Sequence, residues 1–134
     1  LQIQVFEKQL ILAQKYQKPV VIHCVAAFQE IIAIKKKMKI SVPMIVHGFS
    51  KNTQVAEQLI TAGFYISFGK YLLQNPSLKD VFLNIPDDRF FLETDTIEEG
   101  IQQVYDLAVI YKNCTLKELQ DNIKRNFERV FGEK

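Results

Sequence analysis

The sequence has little of what small binding and catalytic domains often rely on. Cysteine occurs twice, as Cys24 and Cys114, with neither the density of a disulfide framework nor a CxxC metal or redox spacing. Both are expected to be reduced thiols in the core. Histidine also occurs twice, at positions 23 and 47, so no HxH pair exists anywhere in the chain. Glycine occurs at five positions, and none of them builds a glycine-rich phosphate loop. The Ser, His and Asp order of a nucleophilic triad is missing as well. No run of 18 apolar residues is present, and the opening LQIQVFEKQL lacks the basic-then-apolar layout of a secretory leader. No membrane partner and a cytoplasmic location are therefore expected.

An excess of one charge is also lacking. Seventeen Lys and Arg against fifteen Asp and Glu leave a formal charge of +2, which excludes a strongly basic nucleic-acid glove. Apolar residues make up 48% of the chain, enough to exclude intrinsic disorder. The length of 134 residues suits one domain spanning 1–134, without linker or low-complexity segment. It is too short for a complete eight-stranded α/β barrel, which needs roughly 200 residues or more.

What is present is an alternation of periods. Ile3, Phe6, Leu10 and Ala13 recur at spacings of three and four, predicting an amphipathic helix over 3–16. Pro19-Val-Val-Ile-His23 then reads as a strand, its proline placed where a missing N–H is harmless. Phe28, Ile31 and Ile32 continue as a helix. Its basic end, Lys35 to Lys39, reads as a solvated terminus set against the negative pole of the helix dipole. Pro43-Met-Ile-Val-His47 repeats the strand pattern 24 residues on, one strand–helix unit later.

The same alternation carries on to the end of the chain. Asn52 or Thr53 caps a helix bearing Val55, Leu59 and Ile60, closed by Gly63. Phe64 to Gly69 reads as a third strand. Asn75-Pro76 predicts an N-cap with proline at the first helical position, opening a helix with Leu78, Val81 and Phe82. Phe90 to Asp95 reads as a fourth strand. Capping boxes at Thr96/Glu99 and Thr115/Glu118 precede the last two helices, with Gly132 beyond the end. Strands apolar on both faces, alternating with helices, predict a parallel sheet covered by helices. An open doubly wound sheet and half of a barrel fit this pattern equally.

Chemistry is expected at the carboxyl ends of the strands, where parallel α/β folds build their sites. His23, His47 and Asp95 all stand there, and two imidazoles with a carboxylate suit Zn²⁺, Mn²⁺ or Fe²⁺. Satisfied structural polar groups are the alternative. Glu93, two residues before Asp95, points to the same side and deeper. It either supports a ligand histidine or pairs with a basic residue nearby. Ser50, Lys51 and Asn52 after His47 can receive a phosphate at a helix start, though ordinary capping explains them more simply.

Taken together, these segments resemble the TatD-type metal-dependent deoxyribonucleases of the amidohydrolase-like barrels. Pro19-Val-Val-Ile-His23 is similar to the family's PVxIH, and His47-Gly-Phe-Ser50 to its HCFSG-like segment. Gly63-Phe-Tyr-Ile-Ser-Phe-Gly69 resembles GxYxSxxG. Ile85-Pro-Asp-Asp-Arg-Phe-Phe-Leu-Glu-Thr-Asp95 resembles IPxxRxLxETD, and Asn126-Phe-Glu-Arg-Val-Phe-Gly132 the closing N…LFG helix.

The resemblance implies the C-terminal half, strands five to eight, of a TIM-type (β/α)8 barrel. It implies His23, His47 and Asp95 as metal ligands, Asp95 as the residue that orients or deprotonates the attacking water, and Glu93 as a structural companion. It implies divalent metal (Mg, Mn or Zn) and hydrolysis of DNA phosphodiesters by a metal-activated water, on single strands or damaged ends. The family's HxH pair and a further Glu belong to an N-terminal half, so a missing half or self-association is expected. Val25 replaces a frequent arginine, and Thr96-Ile-Glu-Glu99 replaces a longer proline-containing loop. Both departures remove groups that grip substrate. They keep open a hydrolase of another phosphoester or amide, or a non-catalytic scaffold.

Overall fold

In a computed structural model of the chain, residues 3–23, 28–93 and 100–132 are described, with side chains from Phe6 onward. Among the described residues four strands form one sheet in the order β1-β2-β3-β4, all parallel: β1 (Val20–His23), β2 (Met44–His47), β3 (Tyr65–Phe68) and β4 (Phe90–Leu92). The predicted α/β class and parallel sheet are observed. The helices are α1 (Ile3–Tyr16), α2 (Phe28–Met38), α3 (Thr53–Thr61), α4 (Lys70–Gln74), α5 (Leu78–Asn84), α6 (Ile101–Lys112) and α7 (Leu116–Phe131). None of the described helices is long and apolar enough to cross a membrane.

The two faces of the sheet carry different loads. Ile22, Met44, Val46, Ile66, Phe68 and Phe90 point to one face and join the main core with Phe6, Leu10, Ile31, Leu59, Leu72, Phe82 and Val104 from the helices. Each fully buried aliphatic or aromatic side chain there contributes about 1.5–3 kcal/mol. Phe28, Phe49, Phe68, Phe82 and Phe90 stack edge to face in series, with centroids 5.1–6.3 Å apart. The intervening residues point to the other face, where Ile45, Tyr65 and Phe91 meet Val130 of α7 in a smaller cluster. Period-2 geometry puts Val21, His23, His47, Ser67 and Glu93 on this second face too.

Capping residues set several of the boundaries. The Asn52 side chain accepts from the Val55 N–H at 3.0 Å, and Gly63 takes φ +89 after α3. The Thr115/Glu118 capping box is formed in both directions, at 3.1 and 2.8 Å. Asn126 of α7, 1% exposed, donates to the carbonyls of Asp87 and Phe90 at 2.8 and 2.9 Å and so ties that helix to the start of β4. Cys114 is free and half-buried against the core, and burial first, then Glu118, raises its thiol pKa.

Some expectations need correcting. Asn75 does not cap the helix that follows. It ends α4, its Oδ1 accepts from Ser77 N and Oγ, and α5 begins at Leu78, so Pro76 lies in a turn. Helix α4 itself is absent from the sequence reading, because five residues, Lys70 to Gln74, are too few to display a period. A 3₁₀ turn at Asp87–Arg89 precedes β4. Helix α6 starts at Ile101, after Gly100 at φ +69. The expected Thr96/Glu99 box lies outside the described residues, as do Cys24, Val25 and Asp95.

Candidate functional site

At the carboxyl end of the sheet, parallel register sets His23 directly beside His47. Their rings lie 4.2 Å apart between centroids, tilted by 49°. The two histidines found in the sequence at equivalent strand ends are therefore brought together. Their surroundings differ. His23 ends the edge strand β1 and is exposed, whereas the His47 side chain is 21% exposed.

His47 Nε2 lies 2.6 Å from Glu93 Oε2. The same oxygen accepts from Ser67 Oγ at 2.6 Å, and Oε1 accepts from the Gly48 N–H at 2.7 Å. A carboxylate oxygen accepts, so Nε2 is the donor of His47 in this contact. Among the described residues, Glu93 therefore contacts His47, Ser67 and the Gly48 backbone.

Each part of this cluster has a local cause. Gly48, at φ +68, turns the chain sharply after β2 and aims its N–H back at the carboxylate. Phe49 then buries its ring, at 1% exposure, and its N–H donates to Ser67 O at 3.1 Å, fastening this turn to β3. The Glu93 N–H donates to Phe68 O at 2.9 Å, continuing the β3–β4 ladder by one residue and setting Glu93 opposite Gly69. A Cβ at Gly69 would stand 2.9 Å from both Cγ and the carbonyl oxygen of Glu93. Only glycine leaves room there.

Three of the residues in this cluster, Gly48, Ser67 and Gly69, carried no role in the sequence reading. The signal for two of them was available: Ser67 is a polar residue inside an otherwise apolar strand, and Gly69 closes the GxYxSxxG-like segment. Near the start of α3, the Asn52 side chain is taken up by capping, and Ser50 and Lys51 line a shallow depression of about 300 Å³ with Ser77 and Asp80. Lys35, at the far end of the basic run, has its pKa lowered by burial and then by Arg89. That pair is at the opposite end of the sheet, since Arg89 Nη1 donates to Gly63 O ahead of β3.

Among the described residues no three His, Cys, Asp or Glu side chains converge closely enough to hold an ion. His23 and His47 supply two adjacent imidazoles of the type divalent transition metals bind, and a carboxylate on one ring nitrogen, as on His47, is the usual support of a ligand imidazole. The donor chemistry fits a metal as two members of a larger set.

Comparison with known proteins gives this geometry a context. The chain is 34% identical over 98 residues to "Uncharacterized metal-dependent hydrolase YabD" of Bacillus subtilis, a match covering 71% of the chain and 38% of that protein. It is 30% identical over 94 residues to "3'-5' ssDNA/RNA exonuclease TatD" of Edwardsiella piscicida, covering 67% of the chain and 36% of that protein. The crystal structure of YJJV, a TatD homologue from Escherichia coli, superposes with a TM-score of 0.85 at 22% identity, covering 96% of the chain and 55% of its own. The matches therefore span between about a third and just over half of these relatives' lengths. The family model described as TatD related DNase matches residues 1–132, and the chain belongs to that family.

Proposed function

We propose that the protein is a TatD-type, metal-dependent hydrolase that cleaves DNA phosphodiester bonds, with single strands or damaged ends as substrate. The observation that supports this best is the pairing of His23 and His47 in register, with Glu93 seated on Nε2 of His47, in a chain of this family. Residues 1–134 act as one domain, and the four strands correspond to the fifth to eighth strands of a (β/α)8 barrel. His23, His47 and Asp95 hold a divalent ion of Mg, Mn or Zn type, and Glu93 supports His47. The family's remaining ligands come from a further half-barrel or another chain, and the enzyme works in the cytoplasm.

When bound, the metal lowers the pKa of a water and offsets charge on the phosphate. The chain's own part is to hold His47 in one tautomer and orientation through Glu93, and to set His23 beside it by strand register. Asp95 orients or deprotonates the attacking water.

The test is metal stoichiometry of the purified chain after Mn²⁺ or Zn²⁺ loading, beside His47→Ala. About one ion per chain, lost in the variant, is expected. A folded chain with no ion, or equal loading in both proteins, overturns the assignment of His47 and favours a scaffold. Metal binding without cleavage of single-stranded DNA, once the remaining ligands are supplied, favours another phosphoester or an amide as substrate.

A further inference from the structure

We propose that Ser67 and Gly69 are positioning residues for the site: with the Gly48 N–H they lock the Glu93 carboxylate in the one orientation that presents it to His47 Nε2. This rests on His47 being a functional ligand, and extends that reading to two residues on β3 and just beyond it.

The argument starts from the freedom of a glutamate. Glu93 has three side-chain torsions, and its carboxylate group turns easily about the last of them. A carboxylate that supports a ligand imidazole has to be held in place, because a mobile one pays the ordering entropy each time the ligand is used. Here the two oxygens are held from different elements. Oε1 takes the backbone N–H of Gly48 at 2.7 Å, after β2, and Oε2 takes the Ser67 hydroxyl at 2.6 Å, from β3. Two donors on two oxygens fix the plane of the group. His47 Nε2, 2.6 Å from Oε2, then meets a preset acceptor.

Ser67 is 4% exposed, one of two buried polar residues in the described core, and its hydroxyl is directed at Glu93 and not at water. Its neighbours in β3 are all apolar and buried. A serine in such a strand loses apolar burial, and the bond to Glu93 is what it gains. Gly69 acts by exclusion of bulk. Opposite it, the Glu93 backbone and Cγ approach to 2.9 Å of where a Cβ would stand, with Oε1 at 3.2 Å. A backbone oxygen is among those contacts, so a methyl group cannot be accommodated by swinging the side chain alone. Any residue but glycine pushes Glu93 away from β3 and out of reach of His47.

The arrangement separates two tasks that sequence reading merges. Glu93 touches the histidine, whereas Ser67 and Gly69 act only through Glu93. Their substitution should therefore move properties of His47 without altering any group on it.

The experiment uses the full chain, metal-free and then titrated with Mn²⁺, as wild type, Ser67→Ala, Gly69→Ala and, as control, Ser41→Ala, whose hydroxyl bonds Gln14 at the other end of the sheet. The ¹⁵N and ¹H resonances of the His47 imidazole report its tautomer and the Nε2–H bond directly, a readout that general loosening of a fold does not mimic. A protected, downfield Nε2–H is expected in wild type and Ser41→Ala, and its loss or upfield shift in Ser67→Ala and Gly69→Ala. Mn²⁺ affinity is expected to fall about tenfold in Ser67→Ala, the low end of what loss of a ligand's supporting partner costs.

Unchanged His47 resonances in Ser67→Ala overturn the proposal, whatever the metal does. Altered resonances in a chain where even wild type binds no Mn²⁺ support the clamp while defeating the metal assignment on which it rests. Should Gly69→Ala fail to fold, Ser67→Ala alone decides, since it removes one oxygen from a packed strand and adds no bulk.

Discussion

The two imidazoles at the end of the sheet are neighbours in register but have unequal support. His47 lies on β2, with strands on both sides, and its Nε2 is engaged by a carboxylate that β3 and the Gly48 turn hold still. His23 lies on β1 at the edge, and among the described residues its side chain stacks on the His47 ring and makes no hydrogen bond or ion pair. The whole strand shares this condition. Along β1 only Ile22 is buried, and Val21, in register with the buried Ile45, is 49% exposed. Strand β3, by contrast, is buried throughout. A parallel sheet normally has both faces covered, and here the second face is covered at its β4 side by α7 and left open toward β1. Among the described residues, the His47 side of the site is preorganised by its neighbours and the His23 side is not.

The largest expected effect sharpens that contrast in stability. Ile66→Ala, in β3 with no exposed surface, should cost about 2–5 kcal/mol, as a buried aliphatic truncated in a packed core does. Val21→Ala should stay within about 0.5 kcal/mol, the range of surface changes. Urea unfolding at low protein concentration measures both. Should Val21→Ala prove costly, and more so as protein concentration rises, the open face is covered in solution by a second copy. The same variant thus tests the expected self-association, for which Val21, Phe127 and Phe131 supply exposed apolar surface at 49%, 47% and 42%.

The next effect breaks the symmetry of the histidines themselves. In the metal-free chain His47→Ala removes one donor from a largely buried carboxylate and should destabilise by about 1–3 kcal/mol. His23→Ala removes no hydrogen bond among the described residues and should change stability by less than about 0.5 kcal/mol. Thermal unfolding of the two variants side by side gives the comparison. Equal losses would mean that the edge histidine is held as firmly as its neighbour, and the contrast drawn above would not stand.

How much of this was legible in the sequence follows from the range of each interaction. The strand–helix alternation, the His23 and His47 strand ends and the Asn52 and Thr115 caps are local signals, carried by period and by residues three or four apart. They were readable, and the caps form as expected. The Glu93 clamp joins residues 26 and 45 positions apart. Nothing in a single strand reveals which oxygen a serine on the neighbouring strand will meet. Period 2 sets Glu93 on the face that carries His47, but its donors depend on register, which hydrophobic pattern alone does not fix for strands apolar on both sides. Asn75-Pro76 misled for a related reason. The dipeptide fits both the start of a helix and the turn after one, and Gly69 sends the chain into α4 before it arrives.

The smallest effect lies far from the histidines, at the start of α7, the helix that covers the closed side of the second face. Thr115 and Glu118 cap each other there, and the Thr115 backbone N–H first, then its hydroxyl, hold the Glu118 pKa below the ordinary carboxylate value. A carboxylate whose folded pKa is depressed contributes stability above its unfolded pKa, and that contribution is lost as pH falls through the lower folded value. Stability should therefore decline on acidification from the ordinary glutamate range downward, by an amount that solvent exposure of Glu118 keeps small. Thr115→Ala should cost about 1 kcal/mol near neutral pH, as loss of an N-cap does. It should also flatten the acid limb, because the hydroxyl's share of the pKa shift goes with it. Urea midpoints of the two proteins between neutral and acid pH read both effects. Parallel curves would show that the cap acts without Glu118.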